Sequence, residues 1–376
     1  VDTDANRFDE FSARRNQRLA ENALGQTQKT MVCSEGGIMD QTSSHALEAP
    51  YARTFEHGSA GRPAIAAGGA PILSITGLTV VLAEQPETRL LEAVQFELRK
   101  GEFFALVGES GSGKSVLCST IMGVASSELR CLGDIHIEGR RLSDVDRRQR
   151  AMIYQQPSLY LNPVRNIGFQ LRETVQVLDG LSKKEASERA ADLLRDVGIN
   201  DPNETMRKYP HEMSGGMNQR VMIAMALAMK PKLLIADEPT SALDVTTQKQ
   251  ILDLLEQLRS DMAILFVTHD LGVALQRSDR IGVLYAGQLV EIGRADLVAR
   301  TPLHPYTRAL FSAVPPLSGR PRRLHSPAGS LPEPTQRQAG CNFASRCSGR
   351  LDICRHTRPT LQGIPQQVVA CHNLEA

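Results

Sequence analysis

The sequence predicts an α/β fold built on a largely parallel sheet, and three observations carry that expectation. FFALVG, residues 103 to 108, is a short apolar run of buried-strand type that ends in glycine and passes directly into a helical pattern. KLLIAD (232 to 237) and AILFVTHD (263 to 270) are two further runs of the same kind. Between them, VTTQKQILDLLEQLRS sets Ile251, Leu254, Leu255 and Leu258 at helical spacing, so strands alternate with helices as a parallel sheet requires.

Taken in order, residues 1 to about 70 mix both charge signs with Ala, Gly, Ser and Thr and show no sustained period, which predicts a disordered N-terminal extension. A main domain is expected over 71–300, strand-rich from about residue 72. Within it, residues 165–230 lack comparable strands and read as helical, for example SKKEASERAADLLRDVGI, so a helical subdomain is inserted between sheet elements. After about 300 proline becomes frequent, and the chain reads as a linker leading into a small cysteine-rich C-terminal segment, the two together forming a 301–376 region.

Composition sets limits on function. The chain has 376 residues, 41% of them hydrophobic and 23% charged, enough to bury a proper core. Basic residues number 43 against 42 acidic, a net charge of +1, so no overall field favours nucleic acid as a partner. The longest apolar run, VMIAMALAM at 221 to 229, falls far short of the roughly 20 residues that span a bilayer. The N-terminus lacks a signal-peptide pattern, and a soluble or peripheral protein of the cytoplasm is expected. Seven cysteines, an odd number, do not suggest a secreted disulfide scaffold.

The chemistry starts at Gly108-Glu109-Ser110-Gly111-Ser112-Gly113-Lys114-Ser115, which fits G-x-x-x-x-G-K-[ST] between a buried strand and a helix. Its glycines let the backbone curl so that N–H groups and the helix N-terminus point at phosphates. Lys114 would reach the β- and γ-phosphates, and the Ser115 hydroxyl would hold Mg²⁺. The metal also needs a carboxylate, and LLIADEP supplies one: Asp237 ends the strand in position to hold Mg²⁺, and Glu238 beside it suits activation of water. ATP and Mg²⁺ are therefore the expected cofactors.

With these parts in place, HEMSGGMNQR at 211 to 220 makes the chain resemble the ATP-binding cassette (ABC) ATPases. That resemblance implies a P-loop NTPase with a RecA-like parallel-sheet core, an antiparallel β subdomain and the inserted helical subdomain. It implies that Ser214, Gly215 and Gly216 form the signature that binds the γ-phosphate held by an opposite subunit. IYQQPSLYLNP is similar to the Q-loop, with Gln155 implied to sense Mg²⁺ and γ-phosphate and to contact membrane subunits. SALD matches the D-loop through Asp244, and His269 in FVTHD matches the switch histidine. One departure concerns the base: where the family stacks adenine on an aromatic ring, GLTVVLAEQ puts Leu82, which can bury a ring face without stacking. Met217-Asn218 also departs from the usual signature while leaving Ser-Gly-Gly intact.

Four stretches, YPHEMSGGMNQR, IADEPTSALDVTTQ, TPLHPYTRALFSAVP and the cysteine tail ending VACH, resemble in particular the ATPase subunits of oligopeptide, dipeptide and nickel importers. This implies a homo- or heterodimer of ATPase chains, two separate membrane permease subunits, indirect dependence on an extracytoplasmic solute-binding protein, and a peripheral position on the cytoplasmic face of the inner membrane. Peptide cargo is expected over nickel because the long tail matches the peptide pattern better. A soluble ABC ATPase of DNA repair or translation, and a cassette that binds ATP without turnover, are the competing readings.

Cys341, Cys347, Cys354 and Cys371 are separated by five, six and sixteen residues, which matches neither paired C-x-x-C zinc spacing nor ferredoxin spacing. Spacing alone supports a four-cysteine metal site, zinc at least as readily as iron. The resemblance implies a [4Fe-4S] cluster, with Zn²⁺ as the alternative metal and free thiols or occasional disulfides as the remaining reading.

Overall fold

The computed structural model describes residues 70–313 and 329–374. Residues 1–69 of the expected N-terminal extension and 314–328 of the proline-rich linker lie outside the described residues. β1 (Leu73–Leu82) and β2 (Arg89–Leu98) open an antiparallel sheet completed by β4 (Leu129–Ile137) and the short β5 (Arg140–Arg141), in the order β2-β1-β4-β5. The second sheet has eight strands, in the order β11 (Gln362–Ile364), β12 (Gln367–Val369), β10 (Gln288–Arg294), β9, β3, β8, β7 and β6. Its parallel part comprises β9 (Arg280–Tyr285), β3 (Phe103–Val107), β8 (Ala263–Val267), β7 (Leu233–Asp237) and β6 (Arg150–Ile153).

β3 explains the two-sided core. All five of its residues are buried, as expected for a strand covered on both faces. Because alternate side chains point to opposite faces, Phe103, Ala105 and Val107 join one apolar cluster with Phe266, while Phe104 and Leu106 join another with Leu265 and Val267. The second cluster takes in Leu73, Ile75 and Leu91 of the antiparallel sheet and Leu117 and Ile121 of α1 (Lys114–Met122). The first takes in the helices between β6 and β7: α2 (Ile167–Asp179), α3 (Lys183–Asp196) and α4 (Gly215–Ala228).

These helices start where short polar side chains can accept the otherwise unpartnered N–H groups of a first turn. Asn166 accepts from Phe169, Ser182 forms a reciprocal capping box with Glu185, and Ser214 accepts from Met217. Asp244 caps α5 (Val245–Leu258) through Thr246 and Thr247, and the apolar face of α5 buries Ile251, Leu254 and Leu255 as its spacing predicted. Asp270 caps α6 (Leu271–Arg277) through Val273.

The described part of the C-terminal region is built into the main sheet. After β9 the chain turns into β10 (Gln288–Arg294), α7 (Ala295–Arg300) and α8 (Pro305–Ser312). It later returns as β11 (Gln362–Ile364) and β12 (Gln367–Val369), which extend the main sheet along β10. The fully buried carboxylate of Glu291 in β10 ties these pieces together: it accepts from the N–H groups of Leu303 and His304 and from the Gln367 amide. Phe343, from the cysteine-bearing stretch, enters the main core cluster. The tail therefore has its own apolar and hydrogen-bonded attachment, because its strand segments find an open sheet edge.

The N-terminal end of β3 is fixed by a buried ion pair. Asp279 accepts from the Phe103 N–H at 2.9 Å and pairs with Arg259, whose Nε donates to the Gly101 carbonyl at 2.8 Å. The two side chains are only 9% and 5% exposed. Asp279→Ala removes the Phe103 N–H acceptor and leaves the buried Arg259 with Glu256 as its one remaining carboxylate partner, so it is expected to destabilise the fold by about 2 kcal/mol or more in urea unfolding.

Candidate functional site

The candidate site lies at the C-terminal ends of β3, β7 and β8, the edge at which open α/β sheets bind ligands. β3 ends at Gly108, where the chain must turn sharply against its neighbours. A Cβ at Gly108 would sit 2.2 Å from the Leu284 carbonyl oxygen, and one at Gly113 would sit 2.8 Å from the Leu91 side chain. Gly108, Gly111 and Gly113 all have positive φ, the conformation that glycine adopts without a steric penalty. α1 then begins at Lys114 with Gly113 as its N-cap and no capping side chain, so its first N–H groups are left for an anion.

Lys114 is folded back over this loop, its Nζ donating to the carbonyls of Gly108 at 2.8 Å and Glu109 at 3.0 Å. Burial lowers its ammonium below the usual value, and the carboxylates of Glu238 and Asp237 oppose that shift. The Ser115 hydroxyl donates to Asp237 Oδ2 at 3.2 Å, so the two oxygens expected to share Mg²⁺ are already side by side. Burial is also the main reason that the Asp237 carboxyl is raised to about 6, with the nearby Glu238 adding to the shift and Ser115 and Lys114 countering it. The buried Ser112 hydroxyl has no hydrogen-bond partner among the described residues. A half-buried carboxylate beside a hydroxyl, an uncapped helix start and a lysine spanning the loop together fit a triphosphate with a divalent cation.

Glu238 follows Asp237 with φ +46°, a left-handed backbone that costs a non-glycine residue energy and is concentrated at functional sites. Its N–H donates to the Val267 carbonyl at 2.9 Å, which anchors the turn to the end of β8. The side chain stands between two groups: Gln155 Nε2 donates to Oε2 at 3.0 Å, and His269 Nδ1 lies 3.1 Å from Oε1. Glu238 is 20% exposed and His269 64%, so this group opens to solvent beside the half-buried Asp237.

The structure thus gathers Ser115, Asp237, Glu238, Gln155, His269 and Lys114 about one loop. Ser214, Gly215 and Asp244 are instead exposed, and they form a second patch. The signature turn packs on the start of α5: a Cβ at Gly216 would meet Thr247 at 2.4 Å, and one at Gly215 would meet Leu243 at 3.6 Å. Leu82 ends β1 half-buried, paired in register with Leu129 of β4. Two residues not singled out from sequence also touch the loop. Glu109 donates its N–H to the Tyr306 hydroxyl at 3.0 Å and receives Arg346 on its carboxylate at 3.1 Å. The only sequence signal for them was their position within the two C-terminal stretches noted above.

The sequence suggests a metal centre at Cys341, Cys347, Cys354 and Cys371. Among the described residues no group of three or more His, Cys, Asp or Glu side chains is placed to hold a metal ion, so the structure lends no support to the expected [4Fe-4S] cluster or to Zn²⁺. The thiols do lie near one another. Burial chiefly, with the neighbouring thiols Cys354, Cys371 and Cys347 adding to it, pushes Cys341 up to about 11. The Cys371 Sγ is turned to the Asn373 carbonyl at 3.2 Å. The segment is held by other bonds: Cys341 N–H to the Cys354 carbonyl, Asn373 to the Gly349 carbonyl, and Arg358 to Gly340 and Glu92. Among the described residues no helix is long and apolar enough to cross a membrane.

Comparison with known proteins agrees with this geometry. Residues 91–241 match the ABC transporter family, and residues 290–354 match the oligopeptide/dipeptide transporter C-terminal region. The oligopeptide transport ATP-binding protein AppD of Bacillus subtilis is 44% identical over 72% of this chain and 86% of its own length. The dipeptide transport ATP-binding protein DppD of Escherichia coli is 41% identical over 77% of this chain and 92% of its own length. Among solved structures, a dimeric ATP-binding cassette in a post-hydrolysis state, bound to ADP and Pi, superposes with a TM-score of 0.52 at 28% identity, over 59% of this chain and 98% of that one. An ATP-binding subunit of an ABC transporter does so at 0.52 and 32% identity, over 61% and 92%. The parallel core, the phosphate loop with its Asp-Glu strand end, and the attached C-terminal region lead to one conclusion: the chain belongs to the ATP-binding proteins of ABC transporters, of the oligopeptide/dipeptide type.

Proposed function

We propose that this chain hydrolyses ATP to drive peptide uptake through separate membrane permease subunits, working as one of two ATPase chains at the cytoplasmic face of the membrane. The observation that carries the hydrolytic reading is Glu238 held between Gln155 and His269, beside the Ser115–Asp237 pair. The peptide reading is supported by the C-terminal region match and by two relatives that are both named for peptide transport.

In this reading the glycine-rich loop and the N-terminus of α1 bind the phosphates through backbone N–H groups, and Lys114 moves from the Gly108 and Glu109 carbonyls onto them. Ser115 and Asp237 hold Mg²⁺, which when bound neutralises charge on the transferring phosphoryl group. Glu238 accepts a proton from the attacking water, and His269 and Gln155 hold its two oxygens in place. The exposed Ser214 turn and Asp244 serve the opposite chain, so each nucleotide is enclosed by two subunits and closure is a dimer event. Gln155, on the exposed stretch between β6 and α2, passes that closure to the permeases. The solute-binding protein acts on the far side of them. Leu82 offers the adenine ring an aliphatic contact.

Reconstituted with its permeases in proteoliposomes, the wild-type chain is expected to import peptide only with ATP. Glu238→Gln is expected to lower turnover by about a hundredfold or more while nucleotide still binds; equal rates in the two proteins would sink the assignment. A second expectation concerns pH. Because the Asp237 carboxyl is raised to about 6, it is protonated below that pH and must lose a proton to take a cation. Apparent Mg²⁺ affinity in a nucleotide-binding titration should therefore decline as pH falls from 7 to 5, by about tenfold per unit below the pKa. Asp237→Asn should lose that component and keep only the pH dependence of ATP itself.

A further inference from the structure

The C-terminal region reaches the phosphate loop by two routes, and both end on Glu109. Along the first, Gln367 of β12 donates to Glu291, Glu291 accepts the His304 N–H at 2.9 Å, and His304 Nδ1 accepts the Tyr306 N–H at 3.0 Å. The Tyr306 hydroxyl then accepts the Glu109 N–H. Along the second, Arg346, between Cys341 and Cys347, donates to Glu109 Oε2 and to the Tyr285 hydroxyl, and lies near the rings of Tyr285 and Phe343 at 5.7 and 5.8 Å. Arg346 is 5% exposed and Glu109 28%, so this charge pair is largely shielded from water.

Glu109 has no polar group left uncommitted. Its N–H goes to Tyr306, its carboxylate to Arg346, and its carbonyl receives both Lys114 Nζ and the Ser112 N–H at 3.2 Å. The same region supports the loop from behind. Asn342 donates to the Ala286 carbonyl at 3.1 Å, and the next residue, Gly287, donates its N–H to the Ser112 carbonyl at 2.8 Å. Leu331 lies 3.6 Å from where a Cβ on Gly111 would stand. A loop with three positive-φ glycines has much conformational freedom to lose when it binds phosphate. Groups that restrain it beforehand reduce that loss, which appears as tighter nucleotide binding rather than faster chemistry.

Resting on the nucleotide-site reading above, we propose that Arg346 and Tyr306 are positioning residues that hold the phosphate loop through Glu109, so that docking of the C-terminal region sets ATP affinity. Both act on the loop through Glu109. The expected signature is a change in KM without a matching change in kcat.

The test uses the full-length chain. Arg346→Ala, Arg346→Lys, Tyr306→Phe and Glu109→Gln are compared by steady-state ATPase kinetics and by equilibrium titration with a fluorescent ATP analogue. Arg346→Ala is expected to raise both KM and Kd about fivefold, within the usual range of coupling between sites, while kcat changes less than about twofold. Arg346→Lys, which keeps the charge, should recover most of the loss. Adding Glu109→Gln to Arg346→Ala should cost little more, because the two side chains act as one pair. Wild-type KM and Kd in both Arg346→Ala and Tyr306→Phe would overturn the proposal, as would a fall in kcat and melting temperature with KM unchanged. Should Arg346→Ala fail to fold, Tyr306→Phe and Glu109→Gln decide the matter by the same two readouts. The equilibrium titration needs no turnover, so a failed hydrolytic assignment, seen as wild-type turnover in Glu238→Gln, leaves this comparison intact.

Discussion

Strand β3 must lie in the middle of the sheet with both faces buried, and the position of every site group follows from that constraint. Because Phe103 to Val107 are all buried, the strand cannot slide or turn without exposing one of two apolar clusters. It therefore delivers Gly108 to a fixed point between the ends of β8 and β9. The Arg259–Asp279 pair pins its other end, and α1 leaves the loop packed on Leu117 and Ile121. The loop's freedom is thereby confined to the few bonds around its glycines, where a phosphate can be wrapped by backbone.

Next to that fixed loop, β7 brings a charge that burial disfavours. Asp237 is half-buried beside Ser115, and desolvation of its carboxylate is the main cause of its raised pKa. The following residue takes a left-handed backbone, which turns the Glu238 side chain away from the strand and up to His269 and Gln155. Adjacent residues thus serve different environments, one desolvated and suited to a metal, the other solvent-facing and suited to a proton. Three separate segments, the ends of β6, β7 and β8, must meet for this division to exist.

The C-terminal region belongs to the same mechanical unit. Its strands extend the sheet, Glu291 gathers its turns, and Tyr306 and Arg346 reach the loop. Four cysteines in a proline-rich tail invited a metal staple in place of a core. The fold supplies the attachment with β-pairing, the packing of Phe343 and backbone hydrogen bonds, while Cys354 and Cys371 are buried as thiols.

The sequence by itself determined the alternation of buried strands and amphipathic helices, the phosphate loop, the Asp-Glu strand end, the signature turn and the kinship of the C-terminal stretches. Each of these depends on neighbours along the chain: a run of apolar residues, glycines at fixed offsets, a capping residue before a helical face. Only the tertiary structure decided which residues meet across long separations. Glu109 with Tyr306 and Arg346, Glu238 with Gln155, and Glu291 with Gln367 are paired by strand order and packing, and no local period encodes that order. The cysteines show the same limit from the other side: their spacing permits a shared ligand, but whether four thiols converge depends on side-chain direction, and the fold turns Cys371 toward the Asn373 carbonyl.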